Sequence, residues 1–257
     1  MRNLKVALVQ TNQFWEDKIK NMNHFEELLA SIETVDLILF PEMFQTAFSM
    51  NVSELAEKEK DSASLKWLKT ISKKKSAAIY TSMIVEKDGF YYNRGVFVKP
   101  SGEITNYNKR KLFGLAGEDD YFSAGKEEVI VEWEGWKFQL QICYDLRFPE
   151  IARNRIASNG LPSYDVLLYV ANWPEKRNTH WKALLTARAI ENQCYTIGLN
   201  RVGEDGKSLI YSGDSMLVDP LGEKTMCDPH KEEVLLIELN YDKLMEIREV
   251  LPFLKDM

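Results

Sequence analysis

Histidine and cysteine are scarce in this chain of 257 residues, with three of each. Cys143, Cys194 and Cys227 are odd in number and far apart, with no CxxC pair and no metal-ligand spacing, which excludes a disulfide framework and argues against a metal site. No window approaches the roughly eighteen uninterrupted apolar residues of a membrane span. Met1-Arg2-Asn3 runs straight into a strand-like apolar stretch without a signal-peptide core or cleavage site, so a cytoplasmic protein without membrane association is expected. Basic residues are not in excess: Lys+Arg 33 against Asp+Glu 39 give a net charge of -6. The acidic residues are scattered and no basic stripe is left to neutralise phosphates, so nucleic-acid binding is not expected. Linkers rich in Pro, Gly or Ser, internal repeats and low-complexity segments are also missing. At roughly 150 residues per domain the length allows one domain or two; without a linker, residues 1–257 read as a single domain.

With 45% apolar residues the chain can bury a real core. Leu4 to Gln10 is a short apolar run, and Trp15 to Ile32 follows it with Ile19, Met22, Leu28, Leu29 and Ile32 at helical spacing. Leu37 to Phe40 is a second buried-type strand, and Ser62 to Lys75 a second amphipathic helix ending in the solvated lysines Lys73 to Lys75. Ala78 to Val85, Tyr91 to Lys99 and Glu103 to Tyr107, joined by Lys87-Asp88-Gly89 and Pro100-Ser101-Gly102, read as an antiparallel meander. Val129 to Trp133 and Trp136 to Ile142 form a hairpin through Glu134-Gly135, and Pro149 is expected to open a helix reaching about Asn159. Val166 to Val170, Tyr195 to Asn200, Ser215 to Asp219 and Val234 to Leu239 read as strands, Thr179 to Asn192 and Asp242 to Val250 as helices. Strands and helices alternate at both ends, which predicts an α/β domain with mixed sheets.

Three strands run into polar residues that a packed core does not require: Phe40 into Pro41-Glu42, Ile142 into Cys143-Tyr144-Asp145, and Val170 into Ala171-Asn172-Trp173-Pro174. Ligands of α/β sheets bind at the carboxyl ends of the strands, so Glu42, Cys143 and Asn172 are site candidates. Taken singly, Cys143 reads first as an inert buried thiol and Glu42 as a solvated helix or turn carboxylate. A nucleophilic thiol needs a proton acceptor. Of His24, His180 and His230, only His180 lies near a strand end, and it reads better as packing beside Trp181 at a helix start. The alternative is a carboxylate base with a lysine, and Tyr107 to Phe113 supplies lysines after the meander, although spacing alone does not bring Lys109 to Cys143.

Phe40-Pro41-Glu42-Met43, Tyr107-Asn108-Lys109-Arg110-Lys111-Leu112-Phe113 and Gln141-Ile142-Cys143-Tyr144-Asp145-Leu146-Arg147-Phe148-Pro149-Glu150 together resemble the carbon–nitrogen hydrolase (nitrilase-like) superfamily. The resemblance continues through Ala187 to Gln193 and Gly198 to Gly203 and spans essentially the whole chain. Ala171 to Pro174 and Arg177 to Trp181 look most like its bacterial, YafV-like omega-amidase branch. The family commonly has Arg where this chain has Asn108, and His where it has Lys111; both departures leave the triad intact.

The resemblance implies a four-layer α-β-β-α sandwich with two mixed β-sheets, a homodimer or larger homo-oligomer, and no metal or organic cofactor. It places the general base at Glu42, the oxyanion-stabilising ammonium at Lys109 and the nucleophile at Cys143, supported by Glu118 and by the backbone N–H of Tyr144. It further implies a small amide of the 2-oxo dicarboxylic monoamide type as substrate, whose carboxylate Arg177 or Arg201 would face. Asn172, Trp173 and Phe44, with Phe48 and Tyr144, are candidates to close the pocket. Competing readings are the same triad acting on a nitrile, an N-carbamoyl compound or another short amide, a non-catalytic binding module, and a thiol-redox protein using Cys143 or Cys194. The last lacks a resolving cysteine nearby in sequence.

Overall fold

Leu4–Gln10, Leu37–Leu39, Val166–Ala171 and Tyr195–Asn200 are almost wholly buried, because each is an inner strand of a sheet covered on both faces. The computed structural model describes residues 1–158 and 160–256. Its seven-stranded sheet runs, edge to edge, Glu233–Leu239, Leu4–Gln10, Leu37–Leu39, Ala78–Lys87, Phe90–Val98, Ile104–Asn108, with Glu57–Lys58 paired to the end of Ala78–Lys87. The six-stranded sheet runs Lys224–Met226, Met216–Val218, Tyr195–Asn200, Val166–Ala171, Trp136–Ile142, Ile130–Trp133. Each has a parallel centre and antiparallel flanks.

Period-2 alternation divides the side chains between layers. Val6, Leu8, Leu39, Tyr80 and Phe97 meet Phe138, Leu140, Ile142, Leu168 and Ile197 in a core between the sheets. Their alternates, Ala7, Val9, Ile38 and Ile79, turn outward under Phe25, Leu29, Leu65 and Leu68 of helices Lys18–Ala30 and Ala63–Lys75. On the far side Leu167 and Tyr169 pack beneath Trp181, Leu185 and Ala189 of helix Asn178–Asn192. The result is the four-layer α-β-β-α sandwich with two mixed sheets.

Local chemistry sets the boundaries. Asp17 and Ser62 cap two helices by accepting from Lys20 N and Leu65 N at 3.0 and 2.9 Å. Because Asp17 is the cap, the first helix starts at Lys18 and not near Trp15, and Ile19 is 72% exposed instead of sharing the apolar face. Asp88-Gly89 and Glu134-Gly135 take positive φ at both residues, the tight turns that match strand twist. The helix expected from Pro149 to Asn159 is corrected to a single turn, Pro149–Ile151. Beyond it the buried Asn154 amide donates to Tyr164 O and Asn192 O, tying the chain to two other segments in a path a helix could not follow. Asn159 itself lies outside the described residues.

Candidate active site

Glu42, Cys143 and Asn172 come together because three parallel strands of the two facing sheets end at the same rim of the sandwich. Lys109 joins them from the end of the meander. Its backbone N donates to Asn93 O at 3.0 Å, and Gly125 N donates to Lys109 O at 2.8 Å. A Cβ on Gly125 would stand 2.1 Å from Asn108 O, so only glycine lets that segment lie against the lysine.

The ammonium of Lys109 is buried between two carboxylates, with Nζ 2.9 Å from Glu42 Oε1 and 2.9 Å from both oxygens of Glu118. Burial works against this charge. The carboxylates of Glu118 and Glu42 and the Cys143 sulfur outweigh it and hold the ammonium's pKa above the usual lysine range. Glu42 Oε2 accepts from Asn172 N at 2.9 Å, while Asn172 Nδ2 donates to Glu42 O at 2.6 Å, so side chain and main chain fix the glutamate from both ends. Glu118 Oε2 also accepts from Phe113 N at 2.6 Å.

Cys143 is the first residue of a short 3-10 turn that follows its strand, with φ at 43°, a left-handed conformation that costs a non-glycine residue roughly 1–3 kcal/mol. Asp145 over-determines this elbow: Oδ2 accepts from Ile142 N at 2.9 Å and Tyr107 OH at 2.8 Å, and Oδ1 from Lys111 N at 2.9 Å. Burial lifts the Asp145 carboxyl to about 6 against these stabilising donors. The half-buried Cys143 thiol faces Asn172 O at 3.9 Å and has the Glu42 carboxylate as a hydrogen-bonding neighbour. Burial first, and then the Glu42 charge, push its pKa well above the ordinary thiol value, with Lys109 opposing. The cluster already holds two carboxylates and one ammonium. A lone thiolate would add negative charge, whereas transfer of the thiol proton to Glu42 leaves the total unchanged.

The cleft above Cys143 opens to solvent and is walled by Phe48, Phe113, Tyr144, Trp173, Arg147, Arg177 and the hairpin that carries Asp205 to Tyr211. Lys109 and Asn172 line its floor. Tyr144 packs on Phe113 and Phe148. Trp173 Nε1 donates to Arg177 O at 2.8 Å, closing the Pro174 turn.

Two expected pocket residues lie elsewhere. Phe44 is fully buried among Phe25, Phe40 and Trp67 under the helical layer, because Met43 at φ 47° turns it back into the core. Arg201 is fully buried and absent from the cleft wall. Its guanidinium lies over the Tyr211 ring and donates to Asn12 Oδ1, Gln13 O and Glu204 O at 2.7, 3.1 and 3.0 Å, which ties the Asp205 hairpin to the sheet. His180 is exposed at the helix start, not packed beside Trp181, and faces Arg147. Of the family departures, Asn108 Oδ1 accepts from Arg94 Nε at 2.8 Å, and Lys111 Nζ pairs with Glu150 at 3.2 Å.

Asn93, Arg147 and the Asp205 hairpin were missed by sequence reasoning. Asn93 Nδ2 donates to Glu42 Oε1 at 2.7 Å and to Glu118 Oε1 at 3.1 Å. The one hint was Asn93-Arg94, two consecutive polar residues in the middle of an apolar strand.

The carbon–nitrogen hydrolase family model matches residues 5–249. An omega-amidase YafV of Yersinia enterocolitica is 43% identical over 257 residues, covering 100% of this chain and 97% of the relative. A 2-oxoglutaramate amidase of Bacillus subtilis is 35% identical over 225 residues, covering 86% of this chain and 85% of the relative. Among solved structures, a carbon–nitrogen hydrolase superfamily protein of Xanthomonas campestris, with an arsenic adduct in its active site, superimposes with a TM-score of 0.97 at 36% identity, covering 100% of this chain and 98% of that one. With that fold and this arrangement of carboxylates, lysine and cysteine, the chain belongs to the carbon–nitrogen hydrolase family.

Proposed function

We propose that this protein is an omega-amidase, which hydrolyses the terminal amide of a small 2-oxo dicarboxylic acid monoamide such as 2-oxoglutaramate or 2-oxosuccinamate to the acid and ammonia. The observation that carries the reading is the Lys109 ammonium, shared by Glu42 and Glu118, buried beside a cysteine on a strained elbow at the floor of one cleft. The omega-amidase and 2-oxoglutaramate amidase relatives supply the substrate class.

Glu42 takes the thiol proton as Cys143 Sγ attacks the amide carbonyl, so the S–C bond forms without changing the net charge of the buried cluster. The carbonyl electron pair moves to oxygen, where Lys109 and the Tyr144 N–H act as donors. The first N–H groups of a helical turn have no acceptor within the turn, and Tyr144 occupies such a position. Losing one oxyanion donor costs about 2.7–4 kcal/mol. Glu42 then hands its proton to nitrogen, the C–N bond breaks, and ammonia leaves a thioester on Cys143. In the second half Glu42 takes a proton from water as it attacks the thioester, and the proton returns to sulfur as the acid departs. Glu118 and Asn93 hold Lys109 and Glu42 in place for both halves.

The same reading carries a cytoplasmic homodimer or larger homo-oligomer. Among the described residues no helix is long and apolar enough to cross a membrane. Steady-state ammonia release from 2-oxoglutaramate, 2-oxosuccinamate, glutamine, short aliphatic amides and nitriles tests the substrate class. The 2-oxo monoamides are expected to show the highest kcat/KM; a nitrile or an unsubstituted amide in that place overturns the assignment.

A further inference from the structure

Arg147 and Arg177 both line the cleft that contains Cys143, the first over the Trp173 ring and the second with its carbonyl oxygen accepting from Trp173 Nε1. Among the described residues neither guanidinium has a carboxylate within ion-pair distance. Elsewhere Arg94 is paired with Glu59, Arg248 with Asp165 and Arg188 with Glu191, and Arg201 donates to Asn12 Oδ1, Gln13 O and Glu204 O; Arg110, half-buried and likewise without an ion-pair carboxylate among the described residues, does not line the cleft. Two uncompensated guanidinium groups in one partly desolvated cleft repel each other. Burial first, and then the Arg177 charge, lower the Arg147 pKa. Such a pair is costly in the empty site and is relieved by an anion between the two.

Arg147 is held in a defined place. Its guanidinium stacks 4.6 Å from the Trp173 ring centroid and 5.9 Å from that of Tyr144. Nη1 and Nη2 lie 3.4 and 3.3 Å from His180 Nδ1. Arginine has donors only, so in this contact the His180 Nδ1 is the accepting atom. Arg177 lies 5.3 Å from the centroid of the Phe113 ring, which itself packs on Tyr144. Among the described residues the one carboxylate lining the cleft, Asp205, is turned into its own hairpin, where Oδ1 accepts from Lys207 N and Leu209 N at 2.8 and 3.0 Å and Oδ2 from Tyr211 OH at 2.8 Å. It is therefore engaged away from both arginines.

We infer that Arg147 and Arg177 form a carboxylate clamp that selects amides bearing a carboxylate at the end remote from the scissile bond. The inference rests on the omega-amidase reading and adds the residues that produce its selectivity. Planar guanidinium groups match a carboxylate with paired N–H donors, and aromatic stacking fixes their planes before the substrate arrives.

The test compares 2-oxoglutaramate with its methyl ester, which keeps the amide and the oxo group and removes the charge. The quantity read is the ratio of kcat/KM for acid to ester, so a change in the amount of folded enzyme cancels. For Arg147→Gln and for Arg177→Gln this ratio is expected to fall by about 10-fold or more, through KM for the acid, since a hydrogen bond to a charged group is worth a factor of that order. Arg147→Lys, which keeps the charge without the planar fork, is expected to restore part of it. Variants that lose acid and ester turnover equally, or that keep the wild-type ratio, overturn the clamp. A wild-type enzyme that prefers the ester instead contradicts the omega-amidase reading itself.

Discussion

Asn93 Nδ2 donates to Glu42 Oε1 at 2.7 Å from the middle of an antiparallel strand, and its second hydrogen is directed at Glu118 Oε1, 3.1 Å away. One amide thus spaces two carboxylates that share a single ammonium.

Asn93→Ala is expected to lower kcat by about 10- to 100-fold, the worth of one hydrogen bond to a charged group, with KM little changed. Asn93→Asp should be worse, because it sets a third carboxylate against the other two. Stopped-time ammonia assays measure both; a KM effect without a kcat effect would show that Asn93 acts on binding alone.

His180 bonds to Arg147 and not to the Cys143 sulfur, so the chemistry does not need it. His180→Ala is expected to keep kcat within about threefold of wild type and to raise KM for a carboxylate-bearing substrate, the loss of one positioning contact. Should that variant be as inactive as Cys143→Ala while Glu42→Gln still turns over, a cysteine–histidine mechanism replaces this one.

Asp145 gives a pH signature. Its pKa rises from 3.8 in the unfolded chain to about 6 in the fold. The folded protein therefore holds a proton that the unfolded chain has released, and the stability this lends is full below the lower value and lost as pH rises through the upper one. Relative to Asp145→Asn, the wild type should lose up to about 3 kcal/mol between about pH 4 and about pH 7. Urea unfolding at the two pH values reads the difference. A difference that stays flat or grows with pH would mean that Asp145 is not lifted by burial. Because asparagine has one acceptor oxygen for three donors, the variant should also lose turnover through a displaced elbow.

What the sequence made legible follows from local physics. Continuous apolar strands such as Val166–Ala171 declare themselves, because burial on both faces leaves no room for alternation. Glu42, Cys143 and Asn172 are visible as polar residues at the ends of such strands. The Pro149 segment was misread because Asn154 anchors it through contacts with residues 10 and 38 positions away. The strands Val202–Glu204 and Ile210–Ser212 are too short to carry a period, yet they bring Asp205, Lys207 and Tyr211 to the cleft. Phe44 sits two residues from Glu42 and faces the other layer. Arg201 follows a strand end as Arg177 follows a turn, and only three-dimensional packing shows that one is consumed by carbonyl oxygens while the other opens on the cleft.

The most direct test of the account is capture of the acyl-enzyme. Glu118→Gln is the variant of choice because it leaves the proton carrier Glu42 in place, and wild type is quenched alongside it on the millisecond scale. Enzyme mixed with 2-oxoglutaramate is stopped in acid, and the intact mass and the modified peptide are read. Cys194 and Cys227 serve as internal controls, being buried thiols whose pKa burial raises, to about 12 for Cys194. The expected result is ammonia released ahead of the acid product, with one acyl group confined to the peptide containing Cys143. Ammonia released at full rate with no adduct at any time, or with the adduct on Cys194 or Cys227, contradicts a Cys143 thioester.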